Sequence, residues 1–207
     1  MNNPQNDPVA EALKSFFDAF PAGPLGIEAV GLGECNGRIV ANDIAASVDS
    51  PPFSRALLEG YLVNVSDISG AGGNSPVTLT VTGTIEPGKA YNDALPAMTC
   101  MELSTGSFVP EGDYAVVRHM DIVKTDNGII VKKSYNRGDN IEPQGCDIKK
   151  GEEIIRLGTK VSPKEIMLLA SQGMASISVT RKPVVAIYCS GNEILKHSEP
   201  LKPGYVW

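Results

Sequence analysis

The run YAVVRHMDIVKTDNGIIVKK, residues 114–133, predicts a β-hairpin. Two stretches rich in β-branched residues, 114–124 and 128–133, flank the turn sequence Thr125-Asp126-Asn127-Gly128. Asn-Gly is a strong hairpin signal because both residues accept the positive φ angles of a tight hairpin turn. We therefore expect two antiparallel strands that meet at this turn.

Similar β signals precede the hairpin and indicate a larger sheet. The double proline Pro51-Pro52 breaks the chain before them, and glycine- or proline-containing turns bound several of them. The segments are GYLVNV at 60–65, VTLTVTG at 77–83 and MTCMEL at 98–103. Residues 51–135 are therefore predicted to form one small β domain or barrel.

A first helix is predicted near the N-terminus. Residues 9–20 carry apolar side chains at helical spacing. Asp7 is a suitable N-cap, and Pro8 suits the first helical position. Pro21 to Pro24 is expected to end this helix.

A second helix is predicted over residues 163–172. It is opened by a capping box, Ser-Pro-Lys-Glu at 162–165, and Gly173 stands where a helix stop belongs. We expect Ile166, Leu169 and Ala170 to face inward. The sequence ASISV, which follows, is predicted to be a strand.

The apolar run VVAIYC, residues 184–189, is typical of a strand that is buried on both faces of a parallel sheet. Such a sheet needs crossover helices, but the remaining residues 190–207 contain Pro200, Pro203 and Gly204 and hold no helix of useful length. We therefore expect the chain to stop at the start of a further domain.

Composition argues against several classes of protein. The 207 residues carry a formal charge of −6, with 24 carboxylates against 18 lysines and arginines, which argues against a protein that coats nucleic acid. No export signal opens the chain, and no apolar stretch approaches the ~20 residues of a membrane span. The four cysteines form no Cys-x-x-Cys pair and only two histidines occur, so neither a zinc knuckle nor a histidine-rich metal site is expected. We expect a cytoplasmic protein with free thiols that binds neither nucleic acid nor membrane.

Four clusters of acidic or hydroxyl residues lie in glycine-rich turns, where functional sites are often built. Taken singly, each is typical of a structural turn. They are Pro51-Pro52-Phe53 with Glu59-Gly60-Tyr61, Ser104-Thr105-Gly106 with Pro110-Glu111-Gly112, Gly145-Cys146-Asp147-Ile148, and Ser190-Gly191-Asn192-Glu193.

The order and spacing of these clusters resemble the molybdopterin molybdenumtransferase family, which includes MoeA and the gephyrin E domain. All the matching blocks fall in the family's order, and the resemblance extends over residues 9–207. The blocks are PPFSRALLEGYLV at 51–63, STGSFVPEGDYAVV at 104–117, GCDI at 145–148, LLASQG at 168–173, SGNEIL at 190–195 and EPLKPG at 199–204.

The resemblance implies an α+β fold of interleaved domains and covers only the N-terminal and linker half of the family. Residues 1–23 would be an N-terminal helix, and 24–50 with 142–182 a small α/β linker domain. A β-rich, barrel-like domain, 51–141, would be inserted into it. Residues 183–207 would supply the first strand of a truncated molybdopterin-binding α/β domain.

The resemblance also implies a reaction, in which molybdate is inserted into adenylylated molybdopterin and AMP leaves, with Mg²⁺ assisting. It implies a homodimer whose cleft lies between subunits, with molybdoenzymes or other cofactor-biosynthesis proteins as further partners. The implied catalytic residues are Glu59, Thr105, Asp147 and Glu193, with Asp147 and Glu193 as metal ligands. The implied substrate-binding residues are Arg55, Ser104, Gly106, Ser190, Gly191 and Asn192.

Four positions depart from the family pattern. Glu59 replaces Asp, Ala56 replaces Ser, Asn192 replaces Asp, and Glu142 stands where an Arg usually follows Asn-Ile. The last change replaces a cation that could hold an anion with a carboxylate.

These departures favour a second hypothesis: a non-catalytic dimeric scaffold, or a module that binds molybdopterin or an oxyanion and has lost the catalytic domain. A third hypothesis is a general β-rich ligand-binding domain that shares only the fold. A reading frame that continues beyond Trp207 would indicate part of a full enzyme, whereas a stop codon there would favour the scaffold.

Overall fold

A computed structural model describes residues 7–21, 23 and 25–207 and shows a mixed α+β fold dominated by sheet. Parts of the predicted N-terminal segments, residues 1–6, 22 and 24, lie outside the described residues. The helices are α1 (Pro8–Ala19), α2 (Val65–Ile68) and α3 (Pro163–Ser171). The strands are β1 (Ile27–Gly31), β2 (Ile44–Ala45), β3 (Arg55–Ala56), β4 (Gly60–Asn64), β5 (Val77–Ile85), β6 (Thr99–Leu103), β7 (Tyr114–Arg118), β8 (Ile122–Thr125), β9 (Gly128–Val131), β10 (Ile141–Glu142), β11 (Glu153–Ile155) and β12 (Ser176–Thr180).

The largest sheet has six strands in the order β7-β4-β6-β5-β9-β8. Its pairs are antiparallel except for β5 with β6, which is parallel. The sheet curls into a half-barrel, which stays open because its edge strands β7 and β8 do not pair with each other.

The predicted hairpin is confirmed, with Thr125 opposite Gly128 across the β8–β9 turn. The first flanking stretch, however, is not one strand. A 3-10 turn at His119–Asp121 divides it, and β7 pairs with β4 while β8 pairs with β9. Residues 114–124 therefore supply both edge strands of the sheet, β7 and β8.

Strand β4, inside this sheet, is buried on both faces. Tyr61 and Val63 of β4 pack into one apolar cluster, and Leu62 packs into the other. Gly60, which begins β4, allows the strand to approach β7 closely. A Cβ atom at residue 60 would lie 2.1 Å from the carbonyl oxygen of Val117, so a side chain there would push the strands apart.

A second core joins residues from both ends of the chain. Strand β1 pairs with β12, and β2 pairs with β11. The buried side chains between them include Val40, Leu169 and Val179. Residues 27–45 therefore share one core with residues 153–180.

Helix α3 begins at the predicted capping box. The backbone N–H of Ser162 donates to the Glu165 carboxylate at 2.9 Å, and the N–H of Lys164 donates to the Ser162 hydroxyl at 3.3 Å. Leu169 is buried as predicted, but the inward orientation predicted for Ala170 is wrong because that residue is exposed.

Helix α1 begins at the predicted N-cap, where Asp7 accepts a hydrogen bond of 3.0 Å from the Val9 N–H. No residue of this helix is buried. Its apolar face, formed by Val9, Leu13, Phe16 and Phe17, is exposed together with the adjacent Phe20. Among the described helices, none is long and apolar enough to cross a membrane.

The strand predicted at 184–189 is absent, because residues 181–190 form no regular secondary structure. Val184, Val185, Ile187 and Tyr188 are instead exposed. A strand requires a neighbour that accepts and donates backbone hydrogen bonds, and the described residues provide none for this run.

The capping box predicts an acid-dependent stability. Hydrogen bonds from the Ser162 side chain and backbone lower the pKa of Glu165 from an ordinary 4.5 to about 2. A lowered folded-state pKa stabilises the protein above the unfolded pKa, and this contribution is lost as the pH falls from about 4.5 to about 2. Glu165→Gln retains an acceptor for the cap but does not titrate.

Wild type should therefore exceed Glu165→Gln in stability at neutral pH, and the difference should shrink through this acid range. Urea unfolding monitored by circular dichroism at a series of pH values measures it. Ser162→Ala, which should cost about 1 kcal/mol at neutral pH, provides the comparison for loss of the cap. The expectation would be contradicted if the free energies of unfolding of wild type and Glu165→Gln differed by the same amount across the acid range.

Candidate functional site

Residues 50–57, here called the spine segment, lie between two of the motif turns. On one side they bind residues 106–109. The Gly106 N–H donates to the Ala56 carbonyl at 2.8 Å, and the Ala56 N–H donates to the Ser107 carbonyl at 3.0 Å. These bonds hold the Ser104–Gly106 turn against the spine segment.

On its other side the spine segment binds residues 140–148. Strand β10 pairs with β3, and the Leu57 N–H donates to the Asn140 carbonyl at 2.9 Å. The Asp147 N–H donates to the Ser50 carbonyl at 3.0 Å. Three motif blocks that are distant in sequence are thereby brought together by backbone hydrogen bonds.

Thr105 lies at the exposed tip of its turn. The Ser107 N–H donates to the Ser104 carbonyl at 3.1 Å, and Gly106 has a φ of +80°, a conformation that glycine adopts without strain. Ser107 is buried, and its hydroxyl donates to the Ile85 carbonyl at 3.0 Å. The buried serine fixes the base of the turn and leaves the Thr105 hydroxyl in solvent.

Glu59 lies at the same end of the sheet. Gly60 and Leu103 are register partners in the β4–β6 pair, so Glu59 and Ser104 are the next residues beyond that pair. Both are exposed. The Glu59 carboxylate is therefore close in the fold to the Ser104–Gly106 turn, although the two are far apart in sequence.

Arg55 and Glu142 are cross-strand partners that form an ion pair, with Nε and Oε2 2.5 Å apart. Glu142 also lies beside Cys146 and Asp147, and one ligand atom from each of these three residues falls within 4.8 Å of the others. Partial desolvation, followed by the charges of Asp147 and Glu142, raises the pKa of the Cys146 thiol. This thiol is therefore held in its protonated form.

The fourth motif cluster stands apart. Ser190, Gly191, Asn192 and Glu193 are exposed, and Glu193 belongs to a C-terminal loop in which its carbonyl accepts from the Val206 N–H at 2.8 Å. Within the described residues, no hydrogen bond or ion pair joins these four to Glu59, Thr105 or Asp147. A metal site formed by Asp147 together with Glu193 stays a prediction.

Sequence reasoning missed two features near Asp147. Asp49 accepts hydrogen bonds from the Lys150 N–H at 2.8 Å and from Gln144 Nε2 at 2.6 Å, and these bonds lower the pKa of Asp49. Asp147 also borders a groove of about 820 Å³ between β11 and α3, which includes Ile154 and Met167. No motif distinguishes these residues in the sequence, because their contacts form only in the fold.

Comparison with known proteins identifies the family. The family model described as "MoeA N-terminal region (domain I and II)" matches residues 7–173. The chain belongs to this family.

Relatives and solved structures of MoeA proteins agree with this assignment. The molybdopterin molybdenumtransferase of Bacillus subtilis is 36% identical over 203 residues, which are 96% of this chain and 47% of that protein. Its counterpart in Haemophilus influenzae is 29% identical over 185 residues, 89% of this chain and 45% of that protein. A crystal structure of the molybdopterin biosynthesis MoeA protein of Pyrococcus horikoshii matches with a TM-score of 0.83 and 34% identity, over 95% of this chain and 50% of that one. The chain thus spans about half the length of the relatives it matches.

The charge cluster at the Gly145–Asp147 turn predicts a change in thiol reactivity. Asp147→Asn removes a neighbouring negative charge, which should lower the pKa of Cys146 and raise its alkylation rate by roughly twofold near neutral pH. Mass spectrometry of iodoacetamide-treated protein measures the rate. Cys189, which is also exposed, serves as the internal control in the same sample. An unchanged ratio of the two rates would show that Asp147 exerts no field at the thiol.

Proposed function

We propose that this protein acts in molybdenum cofactor biosynthesis, as part of a molybdopterin molybdenumtransferase that inserts molybdate into adenylylated molybdopterin and releases AMP. The observation that carries the proposal is the spine segment, which gathers the Ser104–Gly106 and Gly145–Asp147 turns of the family motifs into one region. The names of the relatives support the same reaction.

In this proposal the chain's own residues bind and orient oxyanions. The Thr105 hydroxyl, exposed at its turn, donates a hydrogen bond to an oxyanion or to the pterin phosphate. Glu59, at the same end of the sheet, and Asp147, across the spine segment, orient water and the incoming metal oxyanion. Glu193, in the separate C-terminal loop, serves as a metal ligand near the pyrophosphate.

Magnesium is implied by the family, and the residues present fit it in part. Mg²⁺ prefers carboxylate oxygens and retains several waters, and Asp147 and Glu193 are exposed carboxylates. Bound Mg²⁺ would neutralise charge on phosphate oxygens. The Cys146 thiol beside Asp147, with its raised pKa, is unsuited as a ligand to this hard cation.

The domain arrangement is part of the same proposal. The core shared by residues 27–45 and 153–180, with the six-stranded sheet between them in sequence, supports a small linker domain, 24–50 and 142–182, that carries an inserted β-rich domain, 51–141. Residues 183–207 would begin an α/β domain. The four free cysteines suit the reducing cytoplasm, where we place the protein.

A transferase should release AMP when it is given adenylylated molybdopterin, molybdate and Mg²⁺. Thr105→Val should lower the rate by about 10²-fold, because it removes a donor to an oxyanion. Chromatographic measurement of AMP tests this expectation, with protein expressed from the whole natural reading frame.

Thr78→Val is the matched control, because Thr78 is an exposed threonine of β5 outside the motif turns. Binding of molybdopterin without AMP release by the wild-type protein would contradict the transferase and support the scaffold alternative.

The proposed enzyme is a homodimer. The exposed apolar faces of α1 and of Val184–Tyr188 support this, since contiguous exposed apolar surface marks sites of association. Sedimentation equilibrium should give twice the chain mass of 21.9 kDa. A single-chain mass that persists at the highest attainable concentration would exclude the dimer.

A further inference from the structure

The Arg55–Glu142 ion pair lies at the point where the spine segment is bonded on both edges. Arg55 is in β3 and Glu142 in β10, and their strands pair in antiparallel register. On the opposite edge, Arg55 forms an isolated bridge with Phe108, just after the Ser104–Gly106 turn. One side-chain pair thus connects β3, to which the Ser104–Gly106 turn is hydrogen-bonded, with β10, which leads into the Gly145–Asp147 turn.

The local charge does not favour a role for Arg55 in binding a free anion. Glu142 already pairs with its Nε, and Asp147 lies beside Glu142. The Glu142 carboxylate offsets the charge of this guanidinium and occupies its Nε, which leaves Arg55 less able to hold an oxyanion. The side chains are 42% and 22% exposed, which leaves the pair partly shielded from solvent.

Other side-chain contacts at this junction are apolar contacts and hydrogen bonds. The rings of Phe53 and Phe108 lie 5.6 Å apart, and Ile141 packs against the cluster that contains Ala56. The Gln144 N–H donates to the Ser54 hydroxyl at 3.1 Å, and its side chain donates to Asp49. Strands β3 and β10 contain two residues each, so their pairing rests on few backbone bonds. Very short strands gain a large share of their stability from cross-strand side-chain pairs.

We propose that Glu142 is a positioning residue: through Arg55 it fixes the spine segment, and so holds the Ser104–Gly106 and Gly145–Asp147 turns as one unit. The inference rests on the proposed function only in treating these turns as parts of a site. It assigns the Glu142 carboxylate, which departs from the family pattern, to holding the two turns together.

Amide hydrogen exchange under native conditions tests the proposal on the complete chain. Glu142→Ala and Arg55→Ala should each raise exchange roughly three- to tenfold at the Gly106 and Leu57 amides, whose N–H groups bond on opposite edges of the spine segment. The charge-swapped variant, Arg55→Glu with Glu142→Arg, should restore protection at both amides, because it rebuilds the pair in reverse.

A control amide and a control variant show whether the effect is confined to this junction. The Val63 amide of β4 reports the six-stranded sheet and should not change. Glu153→Ala, which removes the exposed ion pair with Arg156, should leave Gly106 and Leu57 unaffected.

The proposal is overturned if both single variants leave Gly106 and Leu57 protected, if exchange rises equally at Val63, or if the swapped pair fails to restore protection. The measurement requires no catalysis. Absence of AMP release would therefore contradict the proposed function but would leave the hydrogen-exchange result unchanged.

Discussion

The arrangement of the candidate site depends on backbone hydrogen bonds along both edges of one short segment, residues 50–57. Two motif turns, separated by about forty residues of sequence, bind to opposite edges of it through main-chain groups. Main-chain bonds do not depend on the identity of the exposed side chains, so Thr105 and Asp147 can vary without loss of the framework that presents them. The requirement of such a framework is geometric: glycine at the tight turn, and glycine where strands approach closely.

Local patterns predicted local structure well. The capping box at Ser162, the N-cap at Asp7 and the Asn-Gly hairpin are each determined by residues within a few positions of one another, and each was confirmed. The split of residues 114–124 between two strand pairs could not be predicted, because His119-Met120-Asp121 contains no glycine or proline to mark the turn. The missing strand at 184–189 has a different reason: an apolar run shows what a segment can do, whereas strand formation also needs a partner strand.

The same distinction applies to the site. The order of the motif blocks indicated which turns matter, and the fold shows that three of them converge. At residue 142 the sequence showed only that a carboxylate replaces a cation of the family pattern. It did not reveal the ion pair, because the position of Arg55 opposite Glu142 depends on the pairing of β3 with β10. The residues around Asp147 carry both signs of charge: Glu142 lies beside it, and Arg156 and Lys164 line the groove that it borders. An oxyanion bound there would therefore meet carboxylates and cations together.

The shared core of residues 27–45 and 153–180 has a consequence for the order of folding. Ser50 and Ile148 meet in a bridge, so the first part of this core is separated from the second by a closed loop of nearly one hundred residues. Closing so long a flexible loop would cost about 4 kcal/mol in chain entropy, whereas prior folding of the intervening sheet brings the loop ends together. During synthesis, β1 and β2 cannot pair until β11 and β12 have been made, and all six strands of the large sheet are made before those partners.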